Sequence, residues 1–143
     1  FLSDAPAFFQ LTQDEGFRLH PITEYQQSST EAAEEWIERA QQLNARGLGK
    51  YAVIDAFDQQ LIGMGGLTPW QWEGEELIDI TYRFRRSAWG RGLGWELAAA
   101  LVRYGLEDLG LAQITATITP DNLPSKRIAE KLGMQFDRRI LLL

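Results

Sequence analysis

Trp89-Gly90-Arg91-Gly92-Leu93-Gly94 lies between a strand-like segment, Leu77 to Phe84, and a run whose apolar residues recur at helical spacing. Three glycines at alternate positions remove each Cβ that would hold the backbone away from a bulky anion. From Trp95 to Leu109 the pattern predicts a helix with Leu97, Leu101 and Tyr104 on one stripe. Its N-terminus would aim unpaired N–H groups and the positive end of its dipole at that anion. Arg83, Arg85, Arg86 and Arg91 crowd the same approach. The stretch reads as a pyrophosphate cradle. Two familiar cradles are set aside. A Walker A loop needs Gly-Lys-Ser/Thr, and no Lys follows these glycines. The dinucleotide fingerprint, counted from Gly90, places Trp95 where its third glycine belongs.

A second motif stands downstream: Asn122-Leu123-Pro124-Ser125-Lys126-Arg127-Ile128-Ala129-Glu130-Lys131-Leu132-Gly133-Met134. Together the two resemble the Gcn5-related N-acetyltransferases (GNAT). In that family a Gly-x-Gly-x-Gly/Ala turn holds the pyrophosphate of coenzyme A. A second signature reads Asn-x-x-Ser-x-Arg-x-x-Glu-Lys-Leu-Gly-Phe, with Met134 here in place of the Phe. Ser125, three residues after Asn122, is similar to the branch that acetylates ribosomal-protein N-termini (RimJ/RimL-like). The resemblance covers nearly the whole chain. It implies an α+β fold of the three-layer α/β/α acyl-CoA N-acyltransferase type, with a mixed, mainly antiparallel sheet splayed at the coenzyme site. It also implies acetyl-CoA as cosubstrate and a primary amine as acceptor. Against the family the chain looks truncated at both ends. A first strand and most of a first helix usually precede Phe1, and a last strand usually follows Leu143. Uncovered outer strands would expose apolar edges and favour homodimers.

The rest of the chain reads as one domain over residues 1–143. Phe1 to Leu11 is the end of a helix and a loop, and Thr12 to Ser29 is irregular. Thr30 caps a helix holding Trp36, Ile37, Ala40 and Leu43, which Gly47 ends. Tyr51 to Ile54 and Leu61 to Leu67 flank the turn Asp55 to Gln60 as a hairpin, and Gly63, Gly65 and Gly66 suggest that something passes close to its second strand. Pro69 to Glu76 reads as a loop carrying Trp70 and Trp72. Gly110 stops the helix after the cradle. Gln113 to Ile118 reads as a strand, Pro124 to Leu132 as a helix, and Met134 to Leu142 as a final strand.

Composition narrows the chemistry. The chain has 143 residues, 45% of them apolar, and no cysteine, so it carries no disulfide, thiol nucleophile or cysteine metal site. No uninterrupted apolar run reaches the roughly 18 residues of a membrane span, which points to a cytoplasmic enzyme. The one histidine, His20, reads as a surface loop residue and makes a Ser-His-Asp triad or a histidine metal site improbable, so no metal is expected. A net charge of −6 argues against nucleic acid as a partner. The charge is divided: residues 1–82 carry 14 acids against 4 bases, and residues 83–143 carry 6 acids against 10 bases. The basic half holds both motifs and suits an anionic coenzyme; the acidic half would attract a cationic amine.

Acetyl transfer from a thioester to an amine requires a positioned donor, a deprotonated amine, a stabilised oxyanion and a supported leaving thiolate. By resemblance, the backbone of Tyr82, Arg83 and Phe84 would pair with the pantetheine arm as an added strand would. Trp89, Gly90, Arg91, Gly92, Leu93, Gly94 and Trp95 would hold the pyrophosphate, and Arg127 belongs to the same coenzyme set. Trp95 is bulky where the family has a small residue. Asn122 would bond the pantetheine amide, or cap the helix after it. Ser125 would support the sulfur or a phosphate, or only start that helix. The family's proton-donor tyrosine falls at Ala129 here, so Ser125 or water must serve. Asp79, in Asp79-Ile80-Thr81-Tyr82, aligns with an acidic strand residue of this branch and is the general-base candidate, or a strand carboxylate that only binds the cationic acceptor or faces solvent, with Glu75 and Glu76 as alternates. Trp70, Trp72 and Glu76 would line the acceptor pocket. A coenzyme-binding but catalytically silent interaction domain is the rival reading.

Overall fold

The computed structural model describes residues 1–19 and 27–140. His20 therefore lies outside the described residues, as do the last residues of the strand expected up to Leu142. The chain opens with a 3-10 turn and α1 (Ala5–Thr12), followed by the short α2 (Glu15–Arg18), capped by the Asp14 carboxylate on the Gly16 N–H. α3 (Thr30–Gln41) begins at the expected cap, and the capping role falls one residue earlier: Ser29 accepts from the Ala32 N–H. A three-stranded antiparallel sheet follows in the order β1 (Gly49–Ile54), β2 (Leu61–Trp72), β3 (Glu75–Phe84).

Trp70 and Trp72 do not sit in a loop. β2 runs through them to Trp72, and β3 starts at Glu75. The turn between is only Glu73-Gly74, both at positive φ (49° and 85°), the geometry that matches the twist of a two-residue hairpin. Pro69 is tolerated within β2 because the β1 pairing ends at Leu67, which leaves one side of the ladder open there. The glycines of β2 do accommodate close neighbours. A Cβ on Gly65 would lie 2.6 Å from Leu97 Cδ2, and one on Gly66 would lie 1.8 Å from the Gly49 carbonyl oxygen.

Apolar side chains divide between two layers. Ala5, Phe8, Leu11, Phe17, Ala33 and Ile37 from the first three helices pack with Met64. Leu67, Ile78 and Ile80 of the sheet pack with Leu48 and with Ala98 and Leu101 of α4 (Leu93–Arg103). Helices above and below the sheet give the α+β, three-layer arrangement. The helix expected from Trp95 begins two residues earlier and passes at Tyr104–Asp108 into a π turn, ending before Gly110 in the left-handed region.

Two expected strands do not form as such. Residues 113–118 touch β3 through a single parallel bridge, Asp79 to Thr115, made by Thr115 N–H to Ile78 O and Ile80 N–H to Thr115 O, both 2.9 Å. Residues 134–140 make no strand; the Met134 N–H is drawn back to Ala129 O at the end of α5 (Leu123–Lys131), and Phe136 is 80% exposed. Strand-forming residues need a partner ladder, and none among the described residues reaches this segment.

Candidate active site

Four pieces meet where β3 ends. The first is the strand itself. Backbone groups alternate in direction along β3, and Ile80 points its N–H at Thr115. The same alternation turns the N–H and C=O of Tyr82 and Phe84 away from β2. Among the described residues no strand pairs with that edge beyond the single bridge, so the groups of Tyr82 and the Phe84 N–H line an opening between β3 and residues 113–118. The Phe84 carbonyl accepts from the Trp89 indole N–H at 2.9 Å, which folds the cradle back against the strand end.

The cradle is the second piece. Gly90 and Gly92 both sit at φ 76°, a conformation costly for residues with a Cβ, and no atom lies within 4 Å of where either Cβ would be. Gly92 is the N-cap of α4 and supplies no side-chain cap. The first helical bond runs from Glu96 N–H to Gly92 O, so the N–H groups of Leu93, Gly94 and Trp95 have no acceptor within the helix. Gly94 differs from the other two glycines. A Cβ there would meet Ile128 Cδ1 at 3.2 Å, so its small size serves the packing of α4 on α5 while its N–H stays at the cradle. Trp95 lies beneath Lys131, whose Nζ is 4.1 Å from the ring centroid.

The third piece is the start of α5. Asn122 caps it, accepting from the Ser125 N–H at 3.2 Å, which leaves its amide NH2 as the available donor. Burial pushes the Tyr82 phenol up, and Ser125 offsets part of that shift. Arg127 is exposed on α5.

The fourth piece is Asp79, only 8% exposed. Its Oδ1 accepts from Thr115 Oγ1 at 2.7 Å and Thr117 Oγ1 at 3.3 Å, and its Oδ2 accepts from the Thr117 N–H at 3.1 Å. Burial raises its pKa, and the three hydrogen bonds work against that rise.

The arginines do not converge as the sequence suggests. Arg83 donates to Phe17 O at 2.6 Å, Arg86 stacks over Trp89 at 4.4 Å, and Arg91 pairs with Asp55 at 2.7 Å. Glu76 is held by Arg46 at 2.6 and 3.3 Å, which lowers its pKa through the side-chain hydrogen bond first. Trp70 and Trp72 have ring centroids 5.9 Å apart, and their buried indole N–H groups find no acceptor among the described residues. Sequence reasoning missed Thr115, Thr117, Asp14 and Asp55. The alternation Thr115-Ala116-Thr117, which puts two hydroxyls on one side of an extended segment, was the available signal for the first two.

The acetyltransferase (GNAT) domain profile matches residues 2–135. The chain belongs to the GNAT acetyltransferase family. Over 108 residues it is 34% identical to the uncharacterised Bacillus subtilis protein YkkB, an alignment covering 74% of this chain and 62% of YkkB. Its fold is similar to that of a GNAT-family protein from Bordetella pertussis, with a TM-score of 0.81 at 20% identity over 99% of this chain and 84% of the other. It is also similar to Salmonella typhimurium yncA, solved with its cofactor acetyl-CoA, with a TM-score of 0.72 at 18% identity over 93% and 75% of the two chains. The fold is thus that of the acyl-CoA N-acyltransferases. Among the described residues no helix of this GNAT domain is long and apolar enough to cross a membrane.

Proposed function

We propose that this GNAT domain is an acetyl-CoA-dependent N-acetyltransferase that acts on a primary amine, a protein N-terminus or a small-molecule amine, by direct attack in a ternary complex. The observation that carries the reading is the juxtaposition of the uncapped α4 N-terminus with the uncovered edge of β3 at Tyr82 and Phe84. One is built for a pyrophosphate and the other for a peptide-like arm. When bound, acetyl-CoA supplies a thioester open to attack by an amine. The N–H groups of Leu93, Gly94 and Trp95 hold the phosphates, with Arg127 and Arg91 adding positive charge. The Asn122 amide NH2 and the β3 backbone fix the pantetheine. A backbone N–H at Tyr82 to Phe84 is the donor placed to stabilise an oxyanion.

Proton traffic follows from what each group already does. Ser125, or a water, supplies the leaving sulfur with a hydrogen bond, because position 129 is alanine and not tyrosine. Glu76 is a poor base because Arg46 favours its ionised form. Both Asp79 oxygens are engaged, so the amine proton leaves through water rather than directly to that carboxylate. The Ser125 spacing favours a peptide N-terminus of the ribosomal-protein kind over a simple amine, with Trp70 and Trp72 lining the acceptor pocket. The reading places the enzyme in the cytoplasm.

The test is mass spectrometry of reactions with acetyl-CoA and a panel of peptides, polyamines, amino acids and aminoglycosides. A mass gain of one acetyl group on an acceptor is expected. Acetyl-CoA binding without any acetylated product would favour the silent binding domain, and no binding would reject both.

A further inference from the structure

A parallel ladder that continued past Asp79–Thr115 would next pair Thr81 with Thr117, and its first bond would run from the Thr117 N–H to Ile80 O. The Thr117 N–H is instead taken by the Asp79 Oδ2 at 3.1 Å, and both threonine hydroxyls are gathered onto Oδ1. A side chain has replaced a backbone acceptor at the point where the two segments part. Side-chain carboxylates compete with ladder bonds in this way because a charged acceptor makes the stronger hydrogen bond.

From this geometry we infer that Asp79 is a positioning residue: its carboxylate ends the ladder after one bridge and so sets where the coenzyme cleft opens. The inference rests on the reading of that cleft as the coenzyme site. Ile80 O and the Tyr82 N–H, which the next bridge would consume, are left for the ligand. Thr115 and Thr117 act through Asp79 and not on the ligand. Without the carboxylate the Thr117 N–H has no better acceptor than Ile80 O, and the cleft loses its innermost pair of groups to a second bridge. Asparagine keeps one oxygen for the Thr117 N–H, and the Thr115 hydroxyl can accept from its NH2, so it retains the anchor. Alanine cannot.

Calorimetry with acetyl-CoA on folded wild type, Asp79→Ala and Asp79→Asn tests this. Asp79→Ala should weaken binding about tenfold or more, the scale of losing charge-assisted hydrogen bonds that hold a site, while Asp79→Asn stays within a few-fold of wild type. Equal affinity in all three, or equal loss in both variants, would overturn the positional role; absence of binding by wild type would instead overturn the coenzyme reading beneath it. Should Asp79→Ala not fold, the wild-type amide spectrum decides. The Thr117 N–H resonance should move with the ionisation of Asp79 and shift little in a Thr115→Val control at low pH. A Thr117 resonance indifferent to pH would also remove the anchor.

Discussion

α4 and α5 both start at the mouth of the same cleft, yet their first turns are finished differently. α5 is closed: Asn122 bonds the Ser125 N–H, and Pro124 occupies a position where a missing N–H costs nothing. α4 is open: a left-handed Gly92 offers no side chain, and three N–H groups face outward. With glycine at the cap, forgoing a side-chain cap costs only about a few tenths of a kcal/mol. On the proposed reading, the contrast separates a helix end that serves the fold from one that is kept for the coenzyme.

Breaking the open end should have the largest effect. Asp tolerates the left-handed region at Gly92 better than most residues, so Gly92→Asp changes charge more than shape. It should reduce acetyl-CoA affinity by about 100-fold or more, since a carboxylate then competes for the helix dipole and repels phosphate. Gly92→Asn should lose far less, and calorimetry of the two variants side by side would sharpen the charge argument. Equal losses would assign Gly92 to backbone shape alone.

Opening the closed end is a smaller change. Asn122→Ala should lower stability by about 1 kcal/mol through the lost cap, read as a melting temperature a few degrees lower. If the Asn122 amide also holds pantetheine, acetyl-CoA affinity falls as well; an unchanged affinity would confine Asn122 to capping.

The pH dependence of Asp79 probes the carboxylate held between β3 and residues 115–117. Burial raises its pKa above the ordinary 3.8, so the folded state keeps a proton that the unfolded chain has released. The contribution of this group to stability is therefore greatest below the ordinary value and declines as pH rises through the raised one. Melting temperatures of wild type and Asp79→Asn from about pH 4 to pH 7 should show wild type losing ground to the variant as pH rises. The opposite slope would mean that the three hydrogen bonds outweigh desolvation. The smallest effect is expected at Asp55→Asn, which frees the half-exposed Arg91 from its partner; acetyl-CoA affinity should rise less than about fivefold.

α3, the hairpin strands, α4 and α5 were legible because they rest on periodicity, and the glycine turn before α4 because its spacing is local, whereas α2 lies in a stretch that reads as irregular. Fold features that depend on distant chain were not. Pro69 reads as a breaker until β1 is seen to stop at Leu67, and the tryptophans of β2 then become strand residues. Residues 113–118 have the composition of a strand, but whether a ladder forms depends on a carboxylate 36 positions away. At the site, the type of residue was readable while its partner was not. Arg83, Arg91 and Glu76 look available in sequence, and each is engaged by a group remote along the chain: Phe17, Asp55 and Arg46.

α2 has only four residues, too few to hold a helix by its own bonds. It is fastened to the end of β3 by the Asp14 carboxylate, which accepts from both the Gly16 and Arg86 N–H groups, and by the bond from Arg83 to Phe17 O. The buried Gly16 and Phe17 amides should therefore exchange with solvent together with the strand corner and not ahead of it, so their protection would report how firmly the end of β3 is held.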